Sequence, residues 1–249
     1  MKILMPLSTQ GSDPTEVAIP WQQLSKAGHE WTFSTPDGAM ATLDTRMITG
    51  AGLGPWRFLR ARRDAREAQA ALVKDLKFQK PLEYQALESG DYDALILPGG
   101  HAPGMKAYLE STKLQRLASE FMTGGKPVAA ICHGVVVLAR SKPLQSEKSV
   151  LFDRTVTALP KSMEMSAWLL TGLWLGNYYR TYPKSVQAEV TEALEQAKQF
   201  QVGPPSLLRD HPNKLSRAFV VRDRNLVTAR WPGDVYGFSQ EFQKLLAES

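Results

Sequence analysis

Apolar residues fall along this chain in short blocks divided by polar or glycine-bearing stretches, and the spacing inside each block predicts an element. Residues 2–7 form a compact apolar run. In 14–27, Val17, Ile19, Trp21 and Leu24 line one side of a helix that Gly28 closes. Residues 30–34 alternate around Trp31 and Phe33 before Thr35-Pro36-Asp37-Gly38 marks a turn. Residues 92–97 read as a buried strand stopped by Pro98-Gly99-Gly100, and Leu114, Leu117 and Phe121 give 113–122 the helical period. A further buried strand, 127–131, runs through Cys132-His133-Gly134 into a helix over 135–139. Beyond it the pattern predicts a strand over 154–158 and a helical region over 162–200 interrupted by Gly172, Gly176 and Pro183. A hairpin of 218–221 and 225–228 and a closing helix over 236–246 follow.

Strands that alternate with helices and read as continuous apolar runs predict an α/β fold with a mostly parallel sheet sandwiched by helices. No repeat or linker divides the chain, so residues 1–249 are expected to form one domain with two additions. One is a basic helical insertion over about 56–80, with Arg57, Arg60, Arg62, Arg63 and Arg66 at its start. The other is a cap-like helical insertion over about 165–213 that holds Trp168, Trp174, Tyr178, Tyr179 and Tyr182. The basic stretch reads as a solvated face whose charges can also bind anions. Most of the aromatic stretch reads as core, with one or two rings at a pocket or subunit contact.

The 249 residues are 43% hydrophobic and 22% charged, which excludes disorder as the main state. A net charge of +5 does not by itself imply nucleic acid. The longest apolar run, AWLLTGLWLG at 167–176, is far shorter than the ~20 residues of a membrane span. Pro6, Gln10 and Asp13 break up the N-terminal apolar run before a signal peptide could form. The single cysteine excludes an internal disulfide and suits a reducing compartment, so the expected location is cytoplasmic.

That cysteine carries the chemistry. Cys132 lies between a buried strand and a helix, where the backbone must turn sharply and lift the sulfur clear of the sheet, as a nucleophile elbow does. The positive end of the following helix is expected to favour thiolate. His133 follows directly. Pro98-Gly99-Gly100-His101 lets the backbone approach a reacting atom, so Gly99 and Gly100 are candidates for an oxyanion site, with Gly100 paired to the His133 amide, and His101 is a candidate pocket residue. His29 and His211 have no companions at metal-ligand spacing, and no phosphate-binding glycine motif is present. Neither metal nor cofactor is expected.

The run DYDALILPGGHAPGMKAYLES with GGKPVAAICHG resembles the ThiJ/PfpI superfamily, itself similar to class I glutamine amidotransferase domains, and NLVTARWPGDVYGFSQEFQKLLA is similar to its last strand and helix. The resemblance implies a flavodoxin-like fold with Cys132 as nucleophile. RTVTALPKSMEMSAW is similar to the segment that supplies an acid in the glyoxalase III and heat-shock chaperone branch; it places that acid at Glu164, where it would orient His133, with Asp153 as the alternative. GSDPTEVAIPW is similar to the first-helix segment whose glutamate, here Glu16, reaches the thiol. The function so implied is cofactor-independent conversion of a small reactive carbonyl, methylglyoxal to lactate, by a homodimer. A cysteine amidase or peptidase, and a stress-response holdase or redox sensor, remain alternatives.

Overall fold

The computed structural model describes residues 1–205 and 208–249; Ser206 and Leu207, which fall in the expected cap insertion, lie outside the described residues. Strand β1 (Lys2–Pro6) leads through α1 (Pro14–Lys26) to β2 (Glu30–Thr35). The next stretch holds α2 (Thr45–Thr49), a 3-10 turn (Gly54–Leu59), α3 (Arg63–Leu72), α4 (Leu76–Gln79) and the two-residue strand β3 (Leu82–Glu83). Then come β4 (Ala94–Leu97), α5 (Lys106–Leu109), α6 (Thr112–Thr123), β5 (Val128–Ile131) and α7 (Gly134–Arg140). Helices α8 (Lys161–Leu175) and α9 (Val186–Glu192), the hairpin β6 (Val220–Asp223) and β7 (Leu226–Ala229), and α10 (Val235–Ala247) complete the chain.

The seven strands form one sheet in the order β3-β2-β1-β4-β5-β7-β6, parallel throughout except for the last pair. Strands β1, β4 and β5 are buried along almost their whole length, which explains their unbroken apolar sequence. The connection β1-α1-β2 moves one way across the sheet and β4-α6-β5 moves the other. Right-handed crossovers therefore put α1 and α6 on opposite faces. Helix α1 packs against α3 and α10, while α6 and α9 pack against α7. The strand order reverses between β1 and β4, and ligand sites of open α/β sheets form at the carboxyl ends of strands at such a point.

One expectation needs correction. Residues 154–158 form no sheet strand: only Val156 makes an isolated bridge, to Phe200, and the Thr157 N–H is satisfied by the Thr228 hydroxyl at 2.9 Å. Val156 and Ala158 are buried and alternate with Thr155 and Thr157, so the pattern mimics a strand while the backbone pairs irregularly. The basic stretch over 56–80 folds as a 3-10 turn and two helices. Asp75 restarts the chain there by accepting from the N–H groups of Lys77 and Phe78 as an N-cap.

The basic stretch and the cap stretch meet. Trp174 Nε1 donates to the Gly52 carbonyl at 2.8 Å, Arg209 donates to the Leu59 carbonyl at 2.8 Å and Arg62 to that of Asp210 at 2.7 Å. Met47, Leu53 and Tyr179 form a small buried cluster separate from the main core, with Leu59, Trp168 and Tyr178 packed on it. No helix among the described residues is long and apolar enough to cross a membrane.

Candidate active site

Cys132 occupies the bend between β5 and α7 with φ of 57°, a left-handed conformation that a side-chain-bearing residue rarely adopts. Two glycines make this bend possible. A Cβ on Gly134 would lie 2.0 Å from the Leu97 carbonyl oxygen, and one on Gly99 would lie 2.7 Å from the His133 nitrogen. The turn after β4 and the elbow after β5 therefore pack backbone on backbone. Gly100 is equally constrained, since its Cβ would fall 2.4 Å from the Gly11 carbonyl oxygen.

Glu16 arrives from the first turn of α1. Asp13 caps this helix, its Oδ1 accepting from Thr15 N–H at 2.7 Å and Glu16 N–H at 3.2 Å, and its own N–H donates to the Gly99 carbonyl at 2.9 Å. The cap thereby fixes α1 against the turn after β4. Glu16 is fully buried; its Oε2 accepts the Gly99 N–H at 2.7 Å, and the Cys132 thiol is a further partner of the carboxyl. The Gly99 amide is thus already engaged by Glu16 and is not a free oxyanion donor.

His133 Nδ1 lies 3.5 Å from Cys132 Sγ, and its Nε2 lies 3.3 Å from the Thr181 hydroxyl. Thr181 also contacts the His101 carbonyl at 3.2 Å. A carbonyl accepts only, so the single Thr181 hydrogen goes to His101 and its oxygen accepts from Nε2–H. This assigns the proton to Nε2 and leaves the Nδ1 lone pair facing the sulfur, the tautomer a base needs. The expected acid is elsewhere. Glu164 is buried, but its Oε2 accepts the Val186 N–H at 3.0 Å at the start of α9, and Asp153 pairs with Arg224 at 2.9 Å. Thr181, not Glu164, stands at His133 Nε2.

His101 is half-buried, and its ring meets those of His133 and Tyr179 edge-on, each at 5.0 Å between centroids. It is the exposed member of the group, because Cys132, His133 and Glu16 have at most 1% of their surface open. Potential ligand atoms of His101, Cys132 and His133 lie within 4.8 Å of one another. The fold thus brings together a soft donor set suited to Zn²⁺ that sequence spacing did not predict.

The electrostatics reverse one expectation. Burial first, and then the charge of Glu16, holds the Cys132 thiol well above its ordinary value, although the His133 backbone N–H pulls the other way. The end of a seven-residue helix does not offset complete desolvation beside an acid. Burial, followed by the charge of Asp13, likewise raises the Glu16 carboxyl well above the carboxylate range. Asp13 itself is pushed up to about 6 by burial. Burial holds His133 well below its usual range, with repulsion from His101 (when protonated) and from Arg140 adding to it, and burial takes His101 down to about 4. Cys132 is thereby held toward the thiol, Glu16 toward the protonated acid and His133 toward the neutral imidazole.

A flavodoxin-like sheet with a cysteine on the elbow of an inner strand, a histidine beside it and a buried acid from the first helix defines a class of protein built around one enclosed cysteine. A family model described as ThiJ/PfpI family-like matches residues 7–204, and the chain belongs to that family. Deglycase PfpI of Pyrococcus furiosus is 27% identical over 246 residues, 99% of each chain. The glutathione-independent glyoxalase hsp3102 of Schizosaccharomyces pombe is 31% identical over 152 residues, 60% of either chain. The match to protein DJ-1 homolog D of Arabidopsis thaliana, 38% identical, takes in 39% of this chain and 23% of that protein, so the chain spans only part of several relatives. Among solved structures, glyoxalase III from Candida albicans superposes with a TM-score of 0.70 at 16% identity, covering 98% of this chain and 97% of the other, which establishes the shared fold.

Proposed function

We propose that this chain is a cofactor-independent enzyme acting on small reactive carbonyls, with methylglyoxal to lactate as its reaction. One observation carries this reading: a buried, protonatable carboxyl, Glu16, stands at the same sulfur as the lone pair of His133 Nδ1. The relatives named glyoxalase and deglycase support it. Acyl transfer to an amide is the alternative; with the Gly99 amide bonded to Glu16, it would rely on Gly100 and the His133 amide as oxyanion donors.

In the proposed cycle, His133 takes the thiol proton as sulfur bonds to the aldehyde carbon, and Glu16 protonates the aldehyde oxygen, giving a hemithioacetal. The Glu16 carboxylate then removes the hydrogen from that carbon, and protonated His133 delivers its proton to the ketone oxygen, forming an enediol. Glu16 returns its proton to the former ketone carbon while His133 removes the proton of the other hydroxyl, leaving a lactoyl thioester. Water attacks the thioester and gives a proton to Glu16; the departing sulfur regains one from His133. The sum is methylglyoxal plus water giving lactic acid, with every group restored. Neutral Glu16 and neutral His133 are the protonation states this cycle starts from.

The test is lactate formation from methylglyoxal by wild type, Cys132→Ala, His133→Ala and Glu16→Gln, alongside peptide hydrolysis. Loss in Cys132→Ala and a fall of about 10²-fold or more in the other two is expected. Undiminished turnover by Cys132→Ala would reject the assignment. A second reading, a holdase, is favoured by the exposed apolar residues of α8, where Leu169 is 69% and Leu173 96% exposed. It predicts aggregation suppression that survives Cys132→Ala and is lost in Leu173→Ser.

A further inference from the structure

A groove of about 590 Å³ opens at the start of α3, on the basic stretch that the thiol chemistry leaves unused. Four arginines line it, Arg60, Arg62, Arg63 and Arg66, against two carboxylates, Asp64 and Glu67. Both carboxylates are taken: Arg62 pairs with Asp64 at 3.0 Å and Arg63 with Glu67 at 2.7 Å. Arg60 and Arg66 have no carboxylate partner among the described residues, so four cations less two anions leave a surplus of two positive charges.

The surplus charges are held close together. Arg66 Nε is buried with no hydrogen-bond partner among the described residues. Arg60 is depressed by desolvation and then by the charges of Arg66 and Arg57. An unanswered guanidinium nitrogen beside a second unpaired guanidinium is costly unless an anion joins them. The planar arginine fork matches phosphate oxygens two at a time. At the first turn of the ten-residue α3, Asp64 Oδ1 already accepts the Ala65 N–H at 2.8 Å, so the positive field of the groove comes from its arginines. Phe58 stands at the rim, 67% exposed, with its ring held edge-on by Trp56 at 5.7 Å between centroids.

We infer that this groove is a binding site for a phosphate monoester with an apolar or planar body, the phosphate lying between Arg60 and Arg66 and the body against Phe58. A monoester carries about −1.5 to −2 charge at neutral pH, which balances the surplus. The site is independent of Cys132, so its occupancy and the carbonyl reaction stand or fall separately.

The test is calorimetric titration of the full chain at physiological salt with phenyl phosphate, inorganic phosphate and phenol. Expected are one saturable site for phenyl phosphate, weaker binding of inorganic phosphate and none of phenol. Arg60→Gln and Arg66→Gln should each weaken phenyl phosphate about tenfold, about 1.4 kcal/mol, whereas Arg66→Lys retains part of the binding. Phe58→Ala should abolish the advantage of phenyl phosphate over inorganic phosphate, and Arg116→Gln, a distant surface charge, should change nothing. Circular dichroism establishes that each variant is folded. No saturable binding by wild type, or equal weakening by Arg60→Gln and Arg116→Gln, overturns the inference.

Discussion

The Thr181 hydroxyl oxygen lies 3.3 Å from His133 Nε2, and this contact fixes which nitrogen of the imidazole faces the Cys132 sulfur. Its effect on catalysis can be measured. Thr181→Val keeps the shape and removes the acceptor, so His133 loses its tautomer preference; kcat should fall several-fold, consistent with about 1 kcal/mol for one hydrogen bond, with little change in KM. Thr181→Ser should restore most of the rate. Equal rates for Val and wild type would show that the contact is incidental.

Ionisation of Cys132 gives a second prediction. Because burial and Glu16 raise the thiol, its alkylation by iodoacetamide should be slow at pH 7 and climb only above the ordinary thiol range. Glu16→Gln removes the opposing charge and should move that rise to lower pH. A midpoint below about 8.5 in wild type would contradict the structure.

Glu164 has a structural signature instead of a catalytic one. Burial raises it to about 7 from an ordinary 4.5, with the Val186 N–H pulling the opposite way. A folded-state value above the unfolded one means that its contribution is fully present below about 4.5 and is lost as pH rises through about 7. Urea midpoints of wild type should therefore decline across that window relative to Glu164→Gln, whose amide oxygen can still accept from Val186. Turnover of methylglyoxal should be unaffected by this substitution.

The cluster of His101, Cys132 and His133 predicts metal inhibition. Micromolar Zn²⁺ should suppress turnover and protect Cys132 from alkylation, a chelator should reverse both, and His101→Ala should weaken the effect. Zn²⁺ protection undiminished in His101→Ala would exclude His101 as a ligand.

At the elbow, Gly134→Ala forces a methyl group into the space 2.0 Å from the Leu97 carbonyl oxygen. Backbone on both sides leaves no flexible neighbour to yield, so destabilisation of about 3 kcal/mol is expected by urea denaturation. A loss of only a few tenths would mean that β4 and β5 shift apart freely.

The sheet was legible because β1, β4 and β5 are buried on both faces and carry no polar interruption; β3, two exposed residues, has no pattern to read. Cys132 and His133 were legible through the forced turn between a buried strand and a helix, whereas Glu16 was reached only through the resemblance of GSDPTEVAIPW to the family's first-helix segment. Thr181 was not, since it comes from an aromatic segment folded back from far along the chain, and its role depends on a carbonyl oxygen that no side-chain pattern encodes. Glu164 was misplaced for a related reason. Sequence puts it on a helix but does not say which face that helix turns toward the histidine. The protonation of the thiol was misread because depth of burial, unlike position at a helix end, cannot be seen in a string of residues.

The small cluster of Met47, Leu53 and Tyr179 shares no member with the main core, and Tyr179 rests on His101 above the enclosed sulfur. Breathing of that patch can proceed while the sheet stays intact, since local openings cost less than global unfolding. Because Cys132 is wholly shut away, a carbonyl substrate of the proposed reaction reaches the sulfur only when the residues that cover it part.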